Sequence, residues 1–168
     1  TEVILAAYHF WGEECVNRFN GMWAFALFDR KRNVIFCSRD RFGIKPFYYF
    51  EGSGLFAFGS EIKQLLRFEE KPSCNQRVLL DYLVIGFEDH TNETFFENIH
   101  KLAAGHNLIY NLDSHQFKVE RYYELSIART ALKEQDAIKK YGSTLEDSVR
   151  LRLRSDVKVG TCLSGGLD

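Results

Sequence analysis

The sequence predicts an α+β fold in which a layered, mainly antiparallel domain is followed by the start of an α/β unit. Up to about Leu125, short apolar runs alternate with turn residues, as in sheets built from consecutive strands. From about Leu132 onward, apolar residues recur at helical spacing, and a strand-like segment then runs into a glycine pair. A helix followed by a strand and a glycine turn is typical of α/β sheets.

The first part of the chain predicts one helix and a series of strands. Apolar residues from Val3 to Trp11 fall on one helical face, and Gly12 can end that helix. The nearly continuous apolar run Met22–Phe28 predicts a strand buried on both faces. Consecutive strands are expected to pair as antiparallel neighbours. The remaining predicted strands are Val34–Ser38, Phe47–Phe50, Leu55–Phe58, Asn107–Leu112 and Phe117–Tyr123.

Three more helices and one more strand are expected. Ser60 is a candidate cap for a helix Glu61–Leu66, and a second short helix includes Val78–Leu83. A long amphipathic helix runs from Ala137 to Val149, and Val157–Leu163 predicts a central strand of a parallel sheet. The change of periodicity divides the chain into two domains, residues 1–128 and residues 129–168.

Composition limits the classes of partner. The 168 residues carry a formal net charge of -1, which gives no attraction to nucleic acid or to an anionic membrane. No apolar run approaches the length that crosses a bilayer. The four cysteines lack the spacing of metal ligands, so we expect free thiols in a reducing, cytoplasmic compartment.

The strongest chemical signal is the segment Ser164-Gly165-Gly166-Leu167-Asp168. Glycines after a strand let backbone N–H groups approach an anion, and a following helix would direct its positive end at that anion. The Ser164 hydroxyl is a further polar group, and the Asp168 carboxylate could hold Mg²⁺ against phosphates. A plain turn between a strand and a surface helix explains the same residues equally well.

This segment resembles the pyrophosphate-binding loop of the N-type ATP pyrophosphatases, which reads Ser-Gly-Gly-x-Asp. The resemblance implies ATP and Mg²⁺ as cofactors. It implies that the Leu163 backbone touches the nucleotide and that the remaining residues face the pyrophosphate, with Asp168 as the metal ligand. Those residues are Ser164, Gly165, Gly166 and Asp168.

A second segment, Arg39–Tyr49, is expected to be a rigid structural hairpin. Gly43 permits a positive φ angle and Pro46 fixes its own φ. Arg39 and Asp40 could satisfy one another and nearby backbone groups. No catalytic role is assigned to any residue here.

Collinear segments extend the resemblance over nearly the whole chain, to the asparagine synthetase family with its class II glutamine amidotransferase domain. Ala103 and Ala104 stand where that family usually has prolines. The resemblance implies a glutaminase domain of the Ntn-hydrolase-like type, followed by an adenine-nucleotide-hydrolase-like domain. The segments are Phe19–Asp29, Arg39–Tyr49, Phe58–Lys63, Leu102–His106, Arg121–Tyr123, Leu145–Val149, Ser155–Val157 and Leu163–Asp168.

In functional terms the resemblance implies an internal fragment of a ligase that makes asparagine from aspartate, ATP and the ammonia of glutamine. The glutaminase nucleophile lies upstream in that family, so neither Cys15 nor Cys37 is assigned as catalytic. Met22 and Ile44 are implied to line the route of ammonia, although a core position is the simpler interpretation of both. The resemblance leaves a homodimer open.

Two alternatives stay open at this point. A β-lactam synthetase or a polysaccharide-modifying amidotransferase shares both domains but adenylates a different acid. A chain without catalytic activity that serves as an interaction module is the alternative from another class.

We expect the 168-residue chain alone to be inactive and to bind ATP weakly, because no helix dipole completes its phosphate loop. Isothermal titration with Mg²⁺ and ATP checks this, and tight binding would contradict it.

Overall fold

The computed structural model describes residues 1–52, 54–127 and 131–160. Contacts divide the chain into two compact units, Thr1–Leu125 (unit 1) and Ser126–Asp168 (unit 2). The domain boundary between residues 128 and 129 stays a prediction.

Unit 1 contains two antiparallel sheets. Sheet 1 has the strand order β1-β2-β6-β7, and sheet 2 has the order β4-β3-β5. The chain therefore returns to β2 with β6, about seventy residues later, to complete sheet 1. The strands are β1 (Ala24–Asp29), β2 (Val34–Arg39), β3 (Tyr48–Gly52), β4 (Leu55–Gly59), β5 (Ile99–Lys101), β6 (His106–Asn111) and β7 (Gln116–Arg121).

Helices cover the outer faces of the two sheets. Helix α1 (Glu2–Trp11) ends at Gly12, whose φ is 57°, and continues into the 3₁₀ helix Gly12–Arg18. The others in unit 1 are α2 (Ile62–Leu65), the 3₁₀ helix Leu66–Phe68 and α3 (Gln76–Ile85). The expected helix of unit 2 is confirmed as α4 (Glu134–Arg152).

Three clusters of buried side chains give unit 1 a helix–sheet–sheet–helix layering. The first cluster joins α1 and the adjacent 3₁₀ helix to one face of sheet 1, where the rings of Tyr8 and Phe36 lie 5.3 Å apart. The second fills the space between the sheets, where Phe56 stacks on Tyr110 at 4.3 Å. The third joins α2 to the far face of sheet 2 through Leu65. The predicted layered α+β fold is confirmed.

The prediction of a strand buried on both faces at Met22–Phe28 is wrong. Strand β1 begins at Ala24, and only Leu27 within it is buried. Phe28 is 55% exposed. The reason is that β1 is an edge strand of sheet 1, and sheet 2 does not cover it at Phe28.

Two local predictions also need correction. The segment after β2 is not a hairpin, because β2 and β3 belong to different sheets and the chain crosses between layers there. Ser60 does not cap α2. Glu61 is the N-cap, and it forms a capping box with Gln64, whose Oε1 accepts the backbone N–H groups of Ser60 and Glu61 at 3.0 and 3.1 Å.

In unit 2, α4 has no buried residue, and its large apolar side chains from Ile138 to Val149 are exposed. The strand predicted at Val157–Leu163 is absent from its described part, residues 157–160. No described residue of unit 2 forms a neighbouring strand, so the backbone of residues 157–160 has no strand there with which to form hydrogen bonds.

Replacing Phe36 with alanine should lower the free energy of unfolding by about 3–5 kcal/mol, because the ring is fully buried between α1 and sheet 1. Urea denaturation measures this. The matched control is Phe28→Ala in the same sheet, where the exposed ring should contribute less than about 1 kcal/mol. Equal losses in the two variants would contradict the layering.

Candidate functional site

The nucleotide-binding loop predicted from the sequence lies outside the described residues. Its members Leu163, Ser164, Gly165, Gly166 and Asp168 are all in that segment, so their assignment stays a prediction. The described residues show a second constellation of polar groups in the segment Arg39–Lys45, which we call the Asp40 loop. It connects sheet 1 to sheet 2.

The centre of the loop is the carboxylate of Asp40, which is 1% exposed. Its Oδ1 accepts the N–H groups of Phe42 and Ile44 at 3.1 and 3.0 Å. Its Oδ2 accepts the N–H groups of Trp23 and Lys45 at 3.2 and 3.0 Å. One buried anion therefore organises the loop and ties it to the segment that precedes β1.

The carboxyl group of Asp40 responds to two opposed influences. Burial acts to raise its pKa, but the four backbone N–H donors stabilise the ionised form more strongly, so the pKa is lowered. The Asp40 carboxyl group therefore stays ionised near neutral pH.

Arg39 satisfies the backbone carbonyl groups around the loop, because a guanidinium donates hydrogen bonds whereas a carboxylate only accepts them. Its guanidinium donates to the carbonyls of Lys45, Leu102 and Gly43 at 2.8, 2.6 and 2.7 Å. The expectation that Arg39 and Asp40 satisfy nearby backbone groups is confirmed, whereas the expectation that they also satisfy one another is wrong. Gly43 has a φ of 66°, and a Cβ there would meet the Arg39 guanidinium at 3.1 Å. Its predicted positive φ is confirmed.

Arg41 and Tyr122 anchor the loop from outside. The Arg41 guanidinium donates to the carbonyl of Asn17 at 3.1 Å and lies over the rings of Trp23 and Tyr123. The Tyr122 hydroxyl donates to the carbonyl of Arg39 at 2.8 Å. The loop is thus fixed on both sides by hydrogen bonds between distant parts of the chain.

The apolar side chains of this region point away from the polar centre. Met22, Phe42 and Ile44 are 47%, 62% and 57% exposed. The interpretation of Met22 and Ile44 as core residues is therefore wrong. Asp40 and Arg39 hold the backbone from the inner side of the loop, so these three side chains lie on the surface. We call these three residues the apolar face.

Two of the described thiols, those of Cys15 and Cys37, are buried. Burial raises the pKa of Cys37 to about 12, and burial also raises the pKa of Cys15. A thiol with a raised pKa is a poor nucleophile. Within the described ranges, no group of three or more metal-ligating side chains converges on one point. No helix there is both long and apolar enough to span a membrane.

A comparison with protein-family models decides the classification. The model described as a glutamine amidotransferase domain matches residues 1–123, which is most of the chain and includes the whole Asp40 loop. The chain belongs to the glutamine amidotransferase domain family. Further along the chain, after residues 124–139, a model described as asparagine synthase matches residues 140–168.

Curated relatives of this glutamine amidotransferase chain agree with the resemblance inferred from its sequence. It is 43% identical to a Methanocaldococcus jannaschii protein named as a candidate glutamine-hydrolysing asparagine synthetase, over 100% of the chain and 33% of that relative. It is 36% identical to asparagine synthetase 3 of Bacillus subtilis, over 100% of the chain and 27% of the relative. It is 30% identical to amidase chyE of Penicillium rubens, over 99% and 25%. The chain spans about a third or less of the length of these relatives.

Sequence patterns did not single out Asp40 as the centre of this arrangement. The one local signal was Gly43 followed by Pro46, which indicated a fixed backbone but not what fixed it. The donor from Trp23 comes from a different segment, and no spacing rule connects residues that are so far apart in the sequence.

Lowering the pH should destabilise unit 1 partly through Asp40. Its folded pKa lies below the ordinary value of about 3.9, so its contribution is complete above that value and is lost as the pH falls through the folded pKa. The free energy of unfolding of Asp40→Asn should therefore vary less between about pH 5 and pH 2 than that of the unaltered chain. Urea denaturation at several pH values measures this.

The exposed Asp136→Asn in α4 is the matched control and should keep the pH dependence of the unaltered chain. An Asp40→Asn variant with the same pH dependence as the unaltered chain would show that the buried carboxylate does not hold the loop.

Proposed function

We propose that this chain is part of an ATP-dependent ligase that forms asparagine from aspartate and releases AMP and pyrophosphate. The ammonia comes from glutamine. The observation that carries the proposal is the tandem of two family matches on one chain, glutamine amidotransferase at residues 1–123 and asparagine synthase at residues 140–168. A unit that releases ammonia and a unit that uses it are both represented.

The ATP-using half is assigned to the glycine loop. Ser164, Gly165 and Gly166 would bind the pyrophosphate through a hydroxyl and backbone N–H groups, and the Leu163 backbone would contact the nucleotide. Asp168 offers a hard oxygen ligand, which fits Mg²⁺ better than nitrogen or sulfur would. The bound nucleotide, with its metal, would supply an activated acyl group on the acceptor acid.

The glutamine-using half needs a nucleophile, and the thiols of Cys15 and Cys37 do not suit that role. Cys15 and Cys37 are buried and have raised pKa values. The family resemblance assigns that role to a cysteine upstream of Thr1. Since the chain spans at most about a third of its relatives, we propose that the chain by itself carries out neither half-reaction. The buried, unpaired thiols of Cys15 and Cys37 support a reducing, cytoplasmic setting.

The apolar face suits the transfer of ammonia. An apolar surface disfavours the protonation of ammonia wherever it is covered from water, because a charged ammonium ion is costly to desolvate. Met22 and Ile44, which the resemblance implies for this route, both contribute exposed apolar side chains to the face. Their exposure supports the assignment, since a core position would have left them no access to ammonia.

A related amidotransferase that adenylates another acid is the second candidate. The 30% identity to amidase chyE of Penicillium rubens favours keeping it, because a similar segment occurs in a relative that is not named as an asparagine synthetase. Pyrophosphate release with a panel of acceptor acids separates the two. Aspartate should be the acid that supports release.

In the intact protein, Asp168→Asn should reduce the rate of pyrophosphate release with ATP, Mg²⁺, aspartate and ammonium by about a hundredfold or more, because a metal-binding charge is lost. A coupled assay for pyrophosphate measures the rate.

Asp136→Asn in the exposed first turn of α4 changes the same charge elsewhere and should leave the rate within about twofold. No pyrophosphate release by the unaltered protein with any acid would contradict the proposed function.

A further inference from the structure

Helix α3 presents apolar side chains to solvent on its outward side. Leu83 and Val84 are 71% and 72% exposed, whereas Val78 on the inward side is 1% exposed. A surface helix of a globular domain usually carries polar residues on the side that faces away from the core. Burial of such apolar side chains is favourable. The outward side of α3 therefore has the composition of an interface.

Helical spacing joins these side chains into one surface. The helix is regular from Gln76 to Ile85, and residues three and four positions apart lie side by side on a helix. Leu83 and Val84 therefore both adjoin Leu80, and Leu79 adjoins Leu83. All four side chains are exposed. We call these four residues the α3 face.

Charges of opposite sign stand at the two ends of the α3 face. Arg77 lies in the first turn of the helix, and its side chain is exposed. Glu88 and Asp89 follow the C-terminal end of the helix, and both are exposed. If two such faces pack antiparallel about a twofold axis, Arg77 of each copy lies near the two carboxylates of the other. The α3 face is thus complementary to itself in charge as well as in apolar character.

The segment that bears the two carboxylates is held against the helix. The His90 ring lies 5.5 Å from the ring of Phe87, and Nε2 of His90 is 2.9 Å from Oδ2 of Asp81 in α3. Glu88 and Asp89 lie between these two attached rings. Their charges therefore have a defined position at the end of the α3 face.

The ion pairs within one chain leave capacity for a second partner. Arg77 pairs with Glu93, but a guanidinium has five N–H donors. Asp89 pairs with Lys101, and a carboxylate has about four acceptor positions. Contacts between two copies can therefore form without breaking the pairs that each copy already makes.

We propose that the α3 face binds the α3 face of a second copy of the protein, antiparallel and about a twofold axis. A twofold interface has the same patch on both sides, so it requires a patch that is complementary to itself. Leu80 and Leu83 lie at equal distances from the middle of the face, so each would meet the other residue of the partner copy. The inference concerns association and does not depend on the proposed catalytic activity.

Sedimentation velocity of the intact protein over a range of concentrations tests this interface. The unaltered protein should be a dimer at micromolar concentration. Leu83→Glu should raise the dissociation constant of the dimer by about a hundredfold or more, because burial of an unpaired charge is costly. The side chain is exposed within one chain, so the variant should keep the circular dichroism of the unaltered protein. A monomeric unaltered protein, or a dimer that Leu83→Glu leaves intact, would overturn the proposal.

Val119→Glu is the matched control. Val119 is an exposed apolar residue on the edge strand β7 and lies outside the α3 face. The same new charge at this position should leave the dissociation constant within about twofold. An equal loss of association in both variants would show that the new charge acts without regard to its position, and the assignment of α3 would fail.

A mixing experiment separates a second copy from any other occupant of the α3 face. Leu83→Lys should be monomeric like Leu83→Glu, because like charges lie close to one another across the axis. An equimolar mixture of the two variants should form heterodimers in native mass spectrometry, since opposite charges then meet. If another part of the same polypeptide or a different protein covers the face, the mixture gives no heterodimer, and the proposal is wrong.

Discussion

The arrangement of the Asp40 loop depends on one buried anion, the carboxylate of Asp40. A charge removed from water is costly unless hydrogen bonds compensate for it, and here four backbone N–H groups do so. Because the donors come from two segments, the same compensation also fixes the entry to β1 against the crossing from sheet 1 to sheet 2. Stability and geometry at this place therefore have a common cause.

The layers explain why the crossing occurs at this point. Sheet 1 supplies Cys37 and Leu108 to the space between the sheets, and sheet 2 supplies Phe56. The chain must pass from β2 to β3 over a short distance to place both faces against one another. Gly43 adopts the positive φ that this turn requires, and Arg39 fills the space in which a Cβ would stand. The Asp40 loop is thus a consequence of the layered fold as well as a support of the apolar face.

Local sequence signals predicted most helices, strands and hairpins, but they did not predict which strands pair when they are far apart in the sequence. The hairpins β3–β4 and β6–β7 followed from turn residues between short apolar runs. The pairing of β2 with β6 joins strands about seventy residues apart, and no local pattern encodes it. Glu61 replaced Ser60 as the cap of α2 because Gln64 completes a capping box with it. Asp40 resembled an ordinary turn residue, since its partner Trp23 is distant in sequence.

Exposed apolar side chains have defined positions when hydrogen bonds hold the backbone that bears them. Met22 and Ile44 lie next to residues bound by one carboxylate, so their positions are specified although their side chains touch water. Apolar contacts with water give no stability, whereas the hydrogen bonds that hold their backbones do. The Asp40 carboxylate therefore specifies where these apolar side chains stand as well as the path of the crossing between the sheets.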